Sequence, residues 1–262
     1  MEIEIGCSTL CFLLTKNLRD GLKEFKKNNI HAVELVDEYP IRLNKRRVEI
    51  IKSFDFEYSV HCPFVHLMLP HPDKMIRRFY LKLIEKSLKF AKEISASEYV
   101  LHGGVIPKIY LEREGGKPRI YFLDLWIKEI APILEDCENI KILVENLSPK
   151  EVFGFSEDFD YIKEKIENIE LCFDVAHAIV FNTFEKWIEK DFSYIHLSDN
   201  NLTDDEHLAI GEGKIDFENI LRRILEKSED KRIKIILEVR SFNGCLKSIE
   251  ALEKIIEKIK NR

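Results

Sequence analysis

Three side chains that can bind metal ions lie close together between residues 193 and 213. His196 follows a short apolar stretch, and Asp205 and His207 stand two residues apart in the acidic loop that comes next. Residues two apart on an extended segment point to the same side, so this carboxylate and this imidazole can reach one ion. Such ligands suit Zn²⁺ or Mn²⁺. The segment therefore predicts part of a metal site.

Further carboxylate and imidazole side chains stand at the ends of other apolar stretches. These stretches are rich in Val, Ile and Leu, as parallel strands buried on both faces are. An ionised carboxylate buried without a partner costs several kcal/mol, so Glu145 after KILV and Glu238 after KIIL need a cation. The predicted metal ligands are His61, His102, Glu145, Asp174, His177, His196, Asp205, His207 and Glu238.

The elements that must position these residues alternate along the chain. Eight short apolar segments alternate with longer segments of helical periodicity, which predicts βα units around a parallel sheet. The predicted strands are residues 3–9, 31–36, 58–62, 98–103, 141–146, 170–174, 194–198 and 234–239. An open doubly wound sheet is the alternative, but no GxGxxG motif follows the first strand. We therefore predict an α/β fold, a single (β/α)₈ TIM barrel that forms one domain over residues 1–262.

Three long segments follow the third, fourth and seventh predicted strands: residues 63–72, 104–120 and 199–213. In a barrel all three leave the carboxyl ends of strands, the face on which such folds build active sites. The second contains a concentrated basic stretch, Lys108, Arg113, Lys117 and Arg119. This stretch is either a solvated loop or a lid that closes on a phosphate. We expect Lys108 and Arg113 to contact the substrate.

Composition and charge argue against several classes of protein. The net charge of −6 argues against general DNA binding, which rests on clustered Lys and Arg. No apolar stretch reaches the ~18 residues of a membrane span, and the amino terminus predicts a strand rather than a signal peptide. The six cysteines include no CxxC pair, so we expect them to be reduced. These features predict a cytoplasmic protein with no membrane partner.

The motifs at the strand ends resemble those of the xylose isomerase-like barrels. This superfamily contains endonuclease IV, of AP endonuclease family 2, and metal-dependent sugar isomerases and epimerases. The similarity extends over nearly all 262 residues. It is most specific in seven short motifs, HCPF, HGG, VEN, DVAH, HLSDN, DEHLAIGEG and LEV.

The resemblance implies two alternative metal sites. Endonuclease IV has nine ligands for three zinc ions, and each has a match among the predicted ligands above. The one-metal epimerases use four ligands, which match Glu145, Asp174, His196 and Glu238, with the two glutamates as a proton-transfer pair. The resemblance thus implies up to three Zn²⁺ ions, or Mn²⁺, and it implies Glu145 and Glu238 as the catalytic residues.

Residues near the ligands divide between the two branches of the superfamily. Phe64 keeps an aromatic residue where the endonuclease IV family places one, and Glu151 stands where epimerases place a substrate contact. His66, in the segment after the third predicted strand, is a further candidate substrate contact. The first strand, GCSTLCFLL, lacks the histidine and glycines of endonuclease IV, and Leu202 replaces an arginine of the epimerases. Neither branch matches completely.

Charge favours phosphoester chemistry. Three divalent ions would outweigh the four ligand carboxylates and attract a phosphate, whereas one ion would leave a negative pocket suited to a neutral sugar diol. We therefore expect phosphoester hydrolysis in the manner of endonuclease IV, on a small sugar phosphate or an abasic nucleic acid. The alternatives are isomerisation or epimerisation of a sugar, and a binding protein that keeps the metals without catalysis.

Overall fold

The eight apolar segments form parallel strands that close into a barrel in the computed structural model, in the order β1 to β8. The structure describes residues 2–14, 17–111, 118–135, 137, 139–228 and 231–261. The strands are β1 Glu2–Ser8, β2 Ala32–Val36, β3 Glu57–His61, β4 Glu98–Leu101, β5 Lys141–Glu145, β6 Ile169–Asp174, β7 Phe192–Leu197 and β8 Arg232–Leu237. Each lies within two residues of its predicted bounds.

Helices connect successive strands. Within the described residues they are α1 Leu18–Lys27, α2 Lys45–Lys52, α3 Lys74–Glu93, α4 Lys108–Leu111, α5 Arg119–Leu134, α6 Ser156–Lys163, α7 Val175–Val180, α8 Phe184–Trp187, α9 Phe217–Lys227 and α10 Phe242–Lys260, with a 3-10 helix at Thr9–Phe12. Side chains of Asn17, Asp73 and Ser241 accept backbone hydrogen bonds in the first turns of α1, α3 and α10, which stabilises those helix starts.

The first and last strands close the barrel. β1 pairs with β8 in a continuous parallel register from Glu2 beside Arg232 to Cys7 beside Leu237, and it pairs with β2 on its other edge. Every strand therefore has a neighbour on both sides, which leaves no open sheet edge. The predicted (β/α)₈ TIM barrel is confirmed.

The barrel interior contains a layer of its own. Side chains of successive strand residues alternate between the interior and the helices, so every second residue points inward. Six buried residues form an interior cluster separate from the main core between strands and helices: Ala32, Val100, Leu143, Cys172, Tyr194 and Ile236. This layer divides the interior into a part near the amino ends of the strands and a part near their carboxyl ends.

Charged side chains occupy the interior near the amino ends of the strands. The Lys234 ammonium lies 2.9 Å from a Glu98 carboxylate oxygen, and it also pairs with Glu57. The side chains of Lys234 and Glu98 are only 8% and 11% exposed. Because a buried charge needs a partner, these ion pairs allow the amino end of the barrel to be filled with polar residues.

The remaining sequence predictions have mixed outcomes. The six cysteines are thiols rather than disulfides, and five of them are buried. No helix among the described residues is long and apolar enough to cross a membrane. Three helices were not predicted individually: α2, the short α4 within the long segment 104–120, and the short α7, which begins directly after β6.

Candidate metal centre

Five of the predicted ligands lie next to the six-residue interior cluster, on the side of the carboxyl ends of the strands. Each stands two residues after a member of that layer and therefore points inward, towards the carboxyl ends of the strands. They are His102, Glu145, Asp174, His196 and Glu238. All five are buried. The strand periodicity alone thus brings them to one level of the barrel.

Glu145 lies at the centre of these side chains. Its Oε2 is 3.1 Å from His61 Nε2 and 3.0 Å from His102 Nε2. Its Oε1 is 3.1 Å from His177 Nδ1, and the carboxylate is only 1% exposed. One carboxylate therefore contacts three imidazoles that come from β3, the end of β4 and α7.

A second group of donors shares the same carboxylate. Ligand atoms of Glu145, Asp174, His196 and Glu238 all lie within 4.8 Å of one another, and those of His61, His102 and Glu145 also lie within that distance. Because Glu145 belongs to both groups, the two groups are adjacent. Such clusters of carboxylate and imidazole donors are typical of Zn²⁺ or Mn²⁺ sites.

A third group connects helix α7 with the loop after β7. Asp174 caps α7 by accepting a hydrogen bond from the His177 backbone N–H at 2.6 Å, which fixes His177 over the end of the barrel. His177 Nε2 then lies 3.3 Å from Asp205 Oδ2, and His207 Nε2 lies 2.9 Å from the same oxygen. Asp205 and His207 thus lie together beside His177, although His207 does not have the extended conformation that the spacing argument assumes.

Asp199 holds the loop that carries this pair. Its carboxylate accepts backbone hydrogen bonds from Gly211 and Gly213 at 2.9 and 2.8 Å, and from Asn200 at 2.8 Å. A Cβ at Gly213 would lie 2.4 Å from this carboxylate, so the close approach requires glycine. His207 has a φ of 49°, a left-handed conformation that costs free energy outside glycine. The hydrogen bonds of the loop offset that cost.

Two buried ligand atoms without hydrogen-bond partners indicate that these side chains fit divalent cations. His196 Nδ1 and Asp205 Oδ1 are buried and have no hydrogen-bond partner among the residues that the structure describes. His196 Nδ1 lies 3.6 Å from carboxylate oxygens of both Glu145 and Glu238. A buried polar atom without a partner costs free energy. A cation between His196, Glu145 and Glu238 would give His196 Nδ1 a partner and would neutralise the two carboxylates.

The ionisation of the site shows the same need for positive charge. Burial alone would raise the pKa of Glu145, but the neighbouring histidines, His102 first, hold it well below its usual value. Burial would lower the pKa of His61, yet Glu145 raises it to about 9. Burial raises the pKa of Glu238 to about 7 despite the opposing effect of His196. The raised pKa values of His61 and Glu238 both favour the protonated form, so protons supply the positive charge that a metal ion would supply in their place.

The centre lines a cavity of about 100 Å³. Phe64 forms part of its wall, with its ring centroid 5.1 Å from that of His61 and 5.5 Å from that of His102. Residues from several strand ends and loops complete the lining: Leu10, Val36, Glu145, His177, Asp205, His207 and Glu238. Phe64 is therefore the predicted substrate contact that lies at the centre.

Three other predicted substrate contacts, His66, Lys108 and Glu151, are not among these lining residues. His66 is exposed in the loop after β3, and Lys108 is exposed at the start of α4. Glu151 is half-buried and pairs through its backbone with Val105. Arg113 and Lys117 lie outside the described residues. The roles of His66, Lys108, Glu151 and Arg113 as substrate contacts stay predictions.

Arg119, the last member of the predicted basic stretch, is bound within the fold. Its guanidinium donates to both carboxylate oxygens of Asp158 and to the backbone carbonyl of Pro149. It also lies 4.6 Å from the centre of the Phe155 ring. These contacts connect α5 to α6, so Arg119 has a structural role.

Two residues at the centre were not among the predicted site residues. Glu34, on β2, is fully buried, and its Oε2 lies 3.0 Å from His196 Nε2. The Cys172 thiol lies within 4.8 Å of ligand atoms of Glu145 and His196. The pattern that identified Glu145 and Glu238 could also have identified Glu34, because Glu34 is a lone carboxylate within the apolar strand VELV. It stands two residues after Ala32 of the interior layer, the same position as five of the ligands.

Comparison with known proteins agrees with this architecture. The family model described as xylose isomerase-like TIM barrel matches residues 22–262. The chain belongs to this family. It is 29% identical to an uncharacterized protein of Methanocaldococcus jannaschii over 98% of both chains. It is 26% identical to a probable endonuclease 4 of Mycoplasmoides gallisepticum over 78% of this chain and 72% of that protein.

A solved structure extends the comparison to three dimensions. The crystal structure of a D-tagatose 3-epimerase-like protein superimposes with a TM-score of 0.86 at 25% identity, over 98% of both chains. A protein named as an endonuclease and one named as epimerase-like thus both resemble this chain over most of its length.

Proposed function

We propose that this member of the family is a metal-dependent enzyme that hydrolyses a phosphoester at a centre of two or three divalent cations. One observation carries the proposal: two donor groups share Glu145 and therefore lie side by side at the carboxyl ends of the strands. A third, made by His177, Asp205 and His207, adjoins them. A one-metal enzyme would need only the group of Glu145, Asp174, His196 and Glu238.

Individual residues would hold the cations in a defined way. Glu145 presents one oxygen to His61 and His102 and the other to His177, so it is the residue that would help to hold the cations of both donor groups. Bound cations would supply positive charge for the phosphate and lower the pKa of water. Glu238 faces the same space and would orient the attacking water. Phe64 covers His61 and His102 and limits the access of bulk solvent.

The charge of the centre supports an anionic substrate when several cations are bound. Glu34 adds a fifth carboxylate to the four ligand carboxylates. Three divalent ions still outweigh five carboxylates, whereas a single ion leaves the pocket more negative than the ligands alone imply. A phosphate would therefore be attracted only by the multinuclear form.

A sugar epimerase or isomerase is the second candidate, and the placement of two glutamates favours it. Oε2 of Glu145 and Oε2 of Glu238 each lie 3.6 Å from His196 Nδ1, and both glutamates line the cavity. Two carboxylates on either side of a substrate carbon can remove and return its proton. The likeness to a D-tagatose 3-epimerase-like protein supports this candidate as well.

Two activity assays separate the candidates. Protein purified without chelators and loaded with Zn²⁺ or Mn²⁺ is incubated with an abasic-site duplex, with small sugar phosphates and with a panel of ketoses. Hydrolysis of a phosphoester without epimerisation supports the first candidate, and epimerisation without hydrolysis supports the second. Glu145→Gln removes the shared carboxylate and should abolish either activity. His31→Ala changes an exposed histidine directly before β2 and should have no effect. Activity that survives in Glu145→Gln would contradict both.

A further inference from the structure

A chain of hydrogen bonds runs through the barrel interior beneath the metal centre. Ser59 Oγ and Tyr194 Oη lie 2.6 Å apart, Tyr194 Oη donates to Glu34 Oε2 at 3.0 Å, and His196 Nε2 lies 3.0 Å from the same carboxylate oxygen. All four side chains are buried. The residues come from strands β2, β3 and β7, so the chain connects opposite sides of the barrel.

The positions of the hydrogens follow from the donors and acceptors. Tyr194 has one hydroxyl hydrogen and gives it to Glu34, so Ser59 must donate to Tyr194. Glu34 Oε2 is an acceptor, so the ring nitrogen of His196 that faces it must carry a hydrogen. The hydrogen bond to Glu34 therefore keeps the proton of His196 on Nε2.

The other ring nitrogen of His196 faces the centre. Nδ1 has no hydrogen-bond partner among the described residues, and it belongs to the donor group with Glu145, Asp174 and Glu238. When the ring is neutral and Nε2 carries the hydrogen, Nδ1 offers a lone pair to that group. Carboxylates that accept a hydrogen from the far nitrogen of a metal-binding histidine orient the ring and strengthen it as a ligand.

We propose that Glu34 is a positioning residue that selects the Nδ1-binding form of His196, with Tyr194 and Ser59 fixing the rotamer of Glu34. The inference rests on the metal binding in the proposed function, and it does not depend on which reaction the centre catalyses. Glu34 belongs to none of the donor groups among the described residues, and its Oε2 contacts His196, so its effect on the cation would pass through His196. Loss of such a partner lowers metal affinity by about 10–100-fold.

Zinc affinity and the state of the His196 ring test the proposal. The dissociation constant for Zn²⁺ is measured by competition with a chelator for the wild type, Glu34→Gln and Glu34→Asp. We expect Glu34→Gln to bind Zn²⁺ about 10–100-fold more weakly and Glu34→Asp to recover part of the loss. Nitrogen-15 NMR of the zinc-loaded wild type should show His196 bound through Nδ1 with a slowly exchanging hydrogen on Nε2. This last result needs no variant and stands even if Glu34→Gln folds poorly.

Glu98→Gln is the matched control. It changes a buried glutamate at the other end of the same barrel, where the partner is Lys234, and it should lower thermal stability without changing zinc affinity. Equal zinc affinity in Glu34→Gln and the wild type would overturn the inference, as would coordination of His196 through Nε2. A wild type that binds neither Zn²⁺ nor Mn²⁺ would contradict the proposed function itself, so the two failures are distinguishable.

Discussion

Replacement of His102 by alanine removes one donor group and leaves the other intact. His102 Nε2 belongs to the group with His61 and Glu145, and it lies outside the group of Glu145, Asp174, His196 and Glu238. Glu145 keeps contacts with His61 and His177 at 3.1 Å each, so the substitution leaves no buried charge without a partner. The variant should therefore fold and differ from the wild type mainly in metal binding.

The expected loss of zinc affinity follows from the removal of a direct ligand. Loss of an outer partner of a ligand already costs up to about 100-fold in affinity, so loss of a direct ligand should cost at least that. A 100-fold change corresponds to about 2.7 kcal/mol. The His61 and Glu145 pair would then lose its cation at micromolar zinc, while the second group would remain filled.

Zinc equivalents per chain provide the assay. Protein is dialysed against a zinc buffer and its metal content is measured, together with hydrolysis and epimerisation. We expect the His102→Ala variant to contain one zinc fewer than the wild type and to lose hydrolysis, while a one-metal epimerase activity would persist. His31→Ala, an exposed histidine remote from the cavity, is the control. Full zinc content in His102→Ala, or loss of every zinc, would refute the division into adjacent groups.

Three further predictions concern stability and the loop after β7. Lys234→Ala leaves Glu98 buried without its partner and should lower the free energy of unfolding by about 3–5 kcal/mol, visible in urea denaturation; a loss below ~1 kcal/mol would contradict the ion pairs described. Asp199→Asn replaces acceptors of two glycine N–H groups and should cost about 3 kcal/mol and weaken zinc binding near Asp205, with unchanged zinc content as the contrary result. For Glu57, burial raises the pKa but Lys234 lowers it below its usual value, so the folded protein should lose stability as the pH falls through that lowered pKa. Glu57→Gln should flatten this acid dependence in thermal melts, and an unchanged dependence would argue against the pairing.

The sequence predicts the barrel well because its signals are local. Each strand is an apolar run, and each predicted ligand on a strand is the polar residue that ends such a run. Parallel pairing then places all carboxyl ends at one mouth, so the convergence of Glu145, Asp174 and Glu238 follows from topology alone. No distance had to be known to predict that these residues meet.

Contacts between distant segments could not be predicted in the same way. The hydrogen bond from His196 to Glu34 spans 162 residues, and only the register of β2 against the other strands decides that the two side chains meet. The position of His177 depends on the turn that Asp174 starts after β6. The sequence predicts a solvated or phosphate-binding role for Arg119, and only its contact with Asp158 in the structure shows that the role is structural. The cavity itself depends on how three loops pack together.

The central claim is that side chains from separate strands hold divalent cations at one mouth of the barrel. Anomalous diffraction from crystals grown with Zn²⁺ or Mn²⁺ tests it most directly. We predict one peak among Glu145, Asp174, His196 and Glu238, and a second among His61, His102 and Glu145. Crystals that show metal only on the surface, with no peak within reach of Glu145, would contradict the claim.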